Sequence, residues 1–125
     1  MNRNALISTY YKENLDIVCK NLVKFNINII STGSTSDYIS SLGYKNKKIE
    51  KITHFKEILD GRVKTLHPKI YASLLYDRKN KKHISTFKKL NFPSIDFVII
   101  NLYPFKKVIN NNIEMIDIGG VSLLR

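Results

Sequence analysis

Between Asp60 and Pro68 the chain reads Asp-Gly-Arg-Val-Lys-Thr-Leu-His-Pro, which sets two cations, a hydroxyl and an imidazole between a glycine and a proline. Arg62 can fork onto a phosphate or carboxylate, Lys64 can bring a mobile point charge or a proton, and Thr65 can donate a hydroxyl. Gly61 permits a positive φ or a close backbone approach, and Pro68 suits the first position of a following helix. Such a loop can hold an anionic group. A solvated basic turn would use the same residues, so the segment needs support from the rest of the chain.

Three other polar stretches carry chemistry. Ser31-Thr32-Gly33-Ser34-Thr35 is rich in hydroxyls and backbone donors, and it sits between an apolar run and a helical pattern. A glycine-containing loop at a helix amino terminus favours phosphate, because unpaired N–H groups and the helix dipole both attract an anion. Capping by Thr35 or Ser34 explains the same residues. Asn101-Leu102-Tyr103-Pro104-Phe105 places an amide and a phenol beside a proline, and Ile116-Asp117-Ile118-Gly119-Gly120 offers a carboxylate before two glycines. Asp117 could equally cap a helix.

The elements that must position these groups alternate in type. Ala5 to Ser8 reads as a buried strand, and Glu13 to Phe25 as a helix with Leu15, Val18, Leu22 and Phe25 at helical spacing. Ile27 to Ser31 is a second strand, followed by a helix over Ser36 to Leu42 that Gly43 can end. A short strand over Lys48 to Ile52 and a helical turn over Phe55 to Leu59 lead into the basic loop. Helices are expected over Pro68 to Leu75 and His83 to Leu90. Asp96 to Ile100 is a strand, its continuous apolar run suggesting cover on both faces. Val121 to Arg125 looks like the first turn of a helix. Strands alternating with helices predict a mostly parallel sheet between helical layers, an α/β fold of the three-layer α/β/α, Rossmann-like kind. Ligands then bind outside the carboxyl ends of the strands, where Ser8 to Lys12, Thr32 to Thr35 and Asn101 to Tyr103 all fall.

Composition narrows the classes. The chain has 125 residues, 43% of them hydrophobic and 25% charged, which fits one globular domain over residues 1–125. No apolar run approaches the roughly 18 residues of a membrane span, and no signal-peptide pattern opens the sequence, so a cytoplasmic protein is expected. The formal charge of +11 suggests an anionic partner. Its lysines are scattered, however, and not interleaved with aromatics as a single-strand binding face requires, which favours solvated faces over a nucleic-acid surface. Cys19 lies beside Val18 and Leu22 and reads as a buried thiol. His54 and His83 have no partner pattern that suggests metal, and His67 reads as a structural group holding the loop by a hydrogen bond.

The segments at 60–68, 101–105 and 116–120, together with Ala-Leu-Ile-Ser and Ser-Thr-Gly-Ser-Thr in order before them, resemble the cyclohydrolase domain of AICAR transformylase/IMP cyclohydrolase, the bifunctional purine-biosynthesis enzyme. The resemblance covers essentially the whole chain. It implies a methylglyoxal-synthase-like α/β/α fold and the closure of FAICAR to IMP with loss of water. It implies no metal and no organic cofactor. The implied partner is a small-molecule nucleotide, FAICAR or IMP, with no nucleic acid, no membrane and a homodimer as in the family.

Carried over residue by residue, Lys12, Thr32, Gly33, Ser34 and Thr35 would surround the nucleotide's phosphate end. Arg62, Val63, Lys64 and Thr65 would contact it from the central loop. Asn101 and Leu102 would border the base, with Asp117 and Ile118 opposite. Lys64, Tyr103 and Asp117 would lie closest to the chemistry, with Asp117 beside Lys64 keeping it protonated as a source of positive charge.

The sequence also departs from the family pattern. Tyr10 and Tyr11 stand where the family has Ser and Asp, Ser34 replaces a glycine, Tyr71 and Ser73 replace a His and a Gly, and the connection from Lys106 to Met115 looks shortened. Past Arg125 the family continues into an Ala-rich segment with a catalytic lysine, so the resemblance implies a domain incomplete at its carboxyl end. Enzyme activity is therefore expected at family level. The alternative is a nucleotide- or phosphate-binding module of the same fold that no longer turns over; a methylglyoxal synthase is disfavoured by the nine-residue central motif.

Overall fold

Ala5, Leu6 and Ile7 are completely buried, and the strand that carries them organises everything else. In the computed structural model, which describes residues 2–104 and 116–124, this strand is β1 (Arg3–Thr9). It pairs in parallel with β2 (Ile27–Ser31) along Arg3 to Ile7, and with β4 (Phe97–Asn101) along Ala5 to Thr9. β2 pairs in turn with the two-residue β3 (Lys47–Lys48), giving the all-parallel order β3-β2-β1-β4 among the described residues.

Side chains alternate across the pleat and so build two cores. Ala5, Ile7, Ile27 and Ile29 face one cluster, closed by Leu15, Cys19 and Leu22 of α1 (Leu15–Lys24) and Ile39 of α2 (Gly33–Ser41). Leu6 and Ile30 face the other, with Ile49, Ile52 of α3 (Glu50–Thr53), Ile70 of α4 (Pro68–Leu75), Phe92, Ile95 and Leu123 of α6 (Gly119–Leu123). Leu90, which follows α5 (Lys81–Lys89), packs at its margin. The three layers expected from the alternation of elements are therefore present.

Local chemistry explains several boundaries. Pro68 opens α4, and His67 caps it, its Nδ1 accepting from Lys69 N–H at 3.2 Å. Asn80 caps α5 by accepting from Lys82 and His83 N–H. Gly43, at φ +87°, follows the last residue of α2's final turn in the left-handed conformation that glycine adopts without cost.

Four expectations need correction. α2 begins at Gly33, with Thr32 in the extended cap position, and Thr35 turns inward to β1 instead of capping. The strand expected over Lys48 to Ile52 is two residues long; Ile49 and Ile52, three apart, both point into the core and belong to the turn of α3. The helical turn expected over Phe55 to Leu59 is instead a reversal: Ile58 and Val63 form an antiparallel bridge around Leu59, Asp60 and Gly61, all at positive φ. The apolar run of β4 is half-buried, with Phe97 40% exposed, since among the described residues β4 has β1 as its strand neighbour. Among the described residues no helix is long and apolar enough to cross a membrane. The connection from Lys106 to Met115 lies outside the described residues.

The start of β4 is pinned to β1 by charge. Asp96 Oδ2 accepts from Asn4 N–H at 2.8 Å, Asp96 N–H donates to the Asn4 carbonyl at 2.8 Å, and Arg78 holds Oδ1 at 2.5 Å. Burial pushes the Asp96 carboxyl up, but the hydrogen bonds from Arg78 and Asn4 outweigh it and leave the group below the usual carboxylate value. A carboxylate depressed in the folded state stabilises above its unfolded value, and the contribution is lost as pH falls through the folded one. Asp96→Asn should therefore lower stability by about 1.5–3 kcal/mol at neutral pH. In urea titrations the gap between the proteins should close below about pH 4; a gap that is independent of pH would refute the role given to this charge.

Candidate functional site

The carboxyl ends of β1, β2 and β4 open onto one edge of the sheet. At that edge β1 and β4 flank the point where chain connectivity reverses direction, since β2 and β3 lie to one side of β1 and β4 to the other. The polar residues singled out in the sequence collect here in two groups.

The first group is cationic. Lys12 Nζ donates to the Thr9 carbonyl, and to the Tyr10 carbonyl and Thr35 Oγ1 at 3.3 Å each. Thr35 Oγ1 accepts from Thr9 N–H and donates to the Thr9 carbonyl, both at 3.1 Å, which ties the first turn of α2 to the end of β1. Thr32 donates to Ser8 Oγ at 2.7 Å. Lys64 arrives from the central loop: a Cβ built on Gly33 would lie 3.8 Å from its Nζ and 3.4 Å from Glu57 Oε2. Burial lowers the Lys12 ammonium below the ordinary lysine value, and the nearby Lys64 lowers it further. Two cations and the positive end of α2 therefore crowd one spot, which can hold a phosphate. Thr9 Oγ1 is buried and finds no hydrogen-bond partner among the described residues. Ser34 is exposed on the outer side of the same turn.

The second group is phenolic and acidic. Tyr103 follows β4, and its phenol is pushed up first by burial, then by Asp117 and by Tyr10. At neutral pH it is a proton donor. Asp117 Oδ1 accepts from Gly120 N–H at 2.8 Å and so caps the start of α6. A Cβ on Gly120 would come within 2.8 Å of Asp117 Oδ2, and one on Gly119 within 3.0 Å of Thr65 Oγ1, so a side chain at either position would push on these groups. Thr65 is thereby buried against α6.

Asn101 joins the two groups. Its Oδ1 accepts from Tyr10 N–H at 2.6 Å and Tyr11 N–H at 2.9 Å, and its Nδ2 donates to the Tyr11 carbonyl at 3.0 Å. The amide that would border a base is thus committed to fixing the loop after β1.

Lys12, Thr32, Gly33, Thr35 and Lys64 come together, as do Tyr103 and Asp117. Lys64 and Asp117 form no ion pair; the charge close to Lys12 is that of Lys64. Arg62 lies at the rim, its Nη1 donating to the Leu59 carbonyl at 3.0 Å and standing 3.5 Å from Asp60. Val63 serves the bridge to Ile58. Leu102 and Ile118 are exposed, at 38% and 68%. Sequence reasoning passed over Glu57 and treated Tyr10 as a departure. For Glu57 a signal existed in its place four residues before Gly61; for Tyr10 the contacts come from tertiary structure alone.

The model of the MGS-like domain matches residues 14–122. The chain belongs to this family. Relatives include the bifunctional purine biosynthesis protein PurH of Caldicellulosiruptor bescii, 46% identical over all of this chain and 26% of that protein. Those of Ligilactobacillus salivarius and Bacteroides thetaiotaomicron are 47% and 43% identical, each over 98% of this chain and 25% of the relative. The MGS-like chain thus spans about a quarter of the length of the curated relatives it matches. The crystal structure of ForH superposes with a TM-score of 0.83 over 99% of this chain and 66% of that one; at 22% identity this is a likeness of fold.

An anion at the head of α2 would raise the Lys12 ammonium back toward its ordinary value. Binding should therefore be accompanied by proton uptake at alkaline pH, between the lowered value and the ordinary lysine value of about 10.4. Calorimetry with inorganic phosphate in buffers of different ionisation enthalpy should show this uptake in the native chain and lose it in Lys12→Met. Phosphate binding without uptake, or uptake retained in Lys12→Met, would place the anion elsewhere.

Proposed function

We propose that this MGS-like domain binds a purine-pathway nucleotide and carries the ring-closing site that converts FAICAR to IMP in the cytoplasm. The observation that carries the reading is the joining of two unlike halves at one sheet edge. A doubly cationic helix terminus at Lys12 and Lys64 is linked through Tyr10, whose carbonyl accepts from Lys12 and whose ring packs on Tyr103, to a protonated phenol at Tyr103. Kinship over nearly all of this chain, and about a quarter of the relatives' length, with proteins of purine biosynthesis supports it.

In this reading the nucleotide's phosphate lies against α2, held by Lys12, Lys64, Thr32, Thr35 and the Gly33 and Ser34 backbone. The central loop, with Arg62, Val63 and Thr65, covers the ribose side, and Leu102 and Ile118 flank the base. In the ring closure the carboxamide nitrogen attacks the formyl carbon and gives up one proton, the formamide nitrogen gives up its own as it forms the ring C=N bond, and the former formyl oxygen leaves with both as water. In this reading Tyr103 donates to that oxygen, with the negative charge of Asp117 near enough to keep the phenol protonated. Lys64 acts through positive charge. No step requires a metal or an organic cofactor. A homodimer belongs to the same reading.

One observation favours binding without turnover. Asp117 spends Oδ1 on the start of α6, and Asn101 spends Oδ1 and one Nδ2 hydrogen on the loop after β1, which leaves each with less to offer a base.

Titration with IMP separates the readings. Saturable one-site binding that survives moderate salt is expected, weakened about tenfold or more by Lys64→Ala. Tyr103→Phe should leave affinity within a few-fold but slow FAICAR closure by about a hundredfold. Binding with no closure by the native chain would select the non-catalytic module. A folded chain with no saturable binding would sink both readings, and affinity that collapses with salt while ignoring the mononucleotide would point to a nucleic-acid surface.

A further inference from the structure

We propose that Tyr10 is a positioning residue that holds the Tyr103 ring in place and couples it to the cationic end of the site. The inference deepens the reading above, because the catalytic part given to Tyr103 rests on it; the contacts themselves do not.

Each part of Tyr10 touches a different site group. Its N–H donates to Asn101 Oδ1 at 2.6 Å, and its carbonyl accepts from Lys12 Nζ at 3.3 Å. Its ring meets Tyr103 edge to face, with centroids 5.3 Å apart and planes at 82°. It also meets Tyr11 in the same way, at 5.1 Å and 84°. This is the geometry that aromatic quadrupoles favour. Because Asn101 and Tyr103 are two residues apart, the loop after β1 and the segment after β4 are clamped twice, once by an amide and once by a ring pair.

Tyr10 is 47% exposed, so the ring is not a core filler. It is held at the mouth of the site by its backbone while one edge reaches water. The Tyr103 phenol faces Asp117, from the segment before α6, and Tyr10, from the loop after β1. Of these two neighbours, Tyr10 is the one that gives the ring a wall. Without that wall, Tyr103 has freer rotamers and more water at its oxygen.

The test is a pH titration of the whole chain carrying tyrosine labelled with ¹³C at Cζ, followed by NMR. The Tyr103 resonance is assigned by its loss in Tyr103→Phe. In the native chain and in Tyr10→Phe, Tyr103 should titrate above the ordinary tyrosine value of about 10. In Tyr10→Ser the midpoint should fall toward that value, and in Tyr10→Leu, which keeps apolar bulk should serine disturb folding, it should fall part of the way. An unchanged midpoint in both would overturn the proposal.

In turnover assays kcat should drop about tenfold in Tyr10→Ser with KM nearly constant. The alkaline limb of its pH profile should move to lower pH, and Tyr10→Phe should recover most of the rate. A native chain that binds IMP without closing FAICAR removes the catalytic reading, and the titration still decides whether Tyr10 holds Tyr103.

Discussion

Burial of β1 on both faces and its pairing on both edges is the constraint from which the site follows. A strand whose neighbours are all parallel delivers every carboxyl end to one edge of the sheet. Leu6 to one core, Ala5 and Ile7 to the other, and ladder partners on each side leave β1 no freedom to slip, since a shift by one residue would exchange the two cores. Thr9 and Tyr10 therefore emerge at a fixed place, and β4, pinned at its start by Asp96 and Arg78, brings Asn101 level with them.

That edge disfavours the charge of Lys12. Lys12 gives up hydration to reach the carbonyls at the end of β1, and Lys64 comes close enough to disfavour its charge further. Glu57 is the carboxylate near this spot, reaching the backbone at Gly33 and Gly61. A fold that held these lysines for structure alone would gain from separating them. Crowding like charges at the positive end of a helix makes sense as preorganisation for a ligand that brings the missing charge.

Much of this was legible in the sequence because the signals were local. Phe97 to Ile100 could be read as a strand from continuous apolar character, and Pro68 marked the start of α4. The misreadings share a cause. Ile49 and Ile52 carried a helical spacing that competed with a strand reading, and the core resolved it. Asp60-Gly61 between Ile58 and Val63 was a reversal signal outweighed by the apolar residues before it. Thr35 was a plausible cap by type, but its hydroxyl is more strongly used on the backbone of β1, which no local pattern reveals. That polar residues after β1, β2 and β4 meet at one edge follows from the alternation of elements; the partners of Asn101, 90 and 91 residues away on the loop after β1, do not.

Those partners change how the edge works. An amide that grips a neighbouring loop and a carboxylate that caps a helix are poor candidates for direct contact with a base, but they are effective in setting where other groups stand. With Asn101 and Asp117 so engaged, the proposed recognition would fall to what they hold: Lys12 and Tyr10 on the loop after β1, and Thr65 against the Gly119-Gly120 turn. A bulky phenol at the start of the first loop is therefore compatible with the proposed nucleotide site. Its ring packs on Tyr103 beside the strand ends, while the cationic head of α2, where the proposal puts the phosphate, is joined to the same residue through its carbonyl and Lys12.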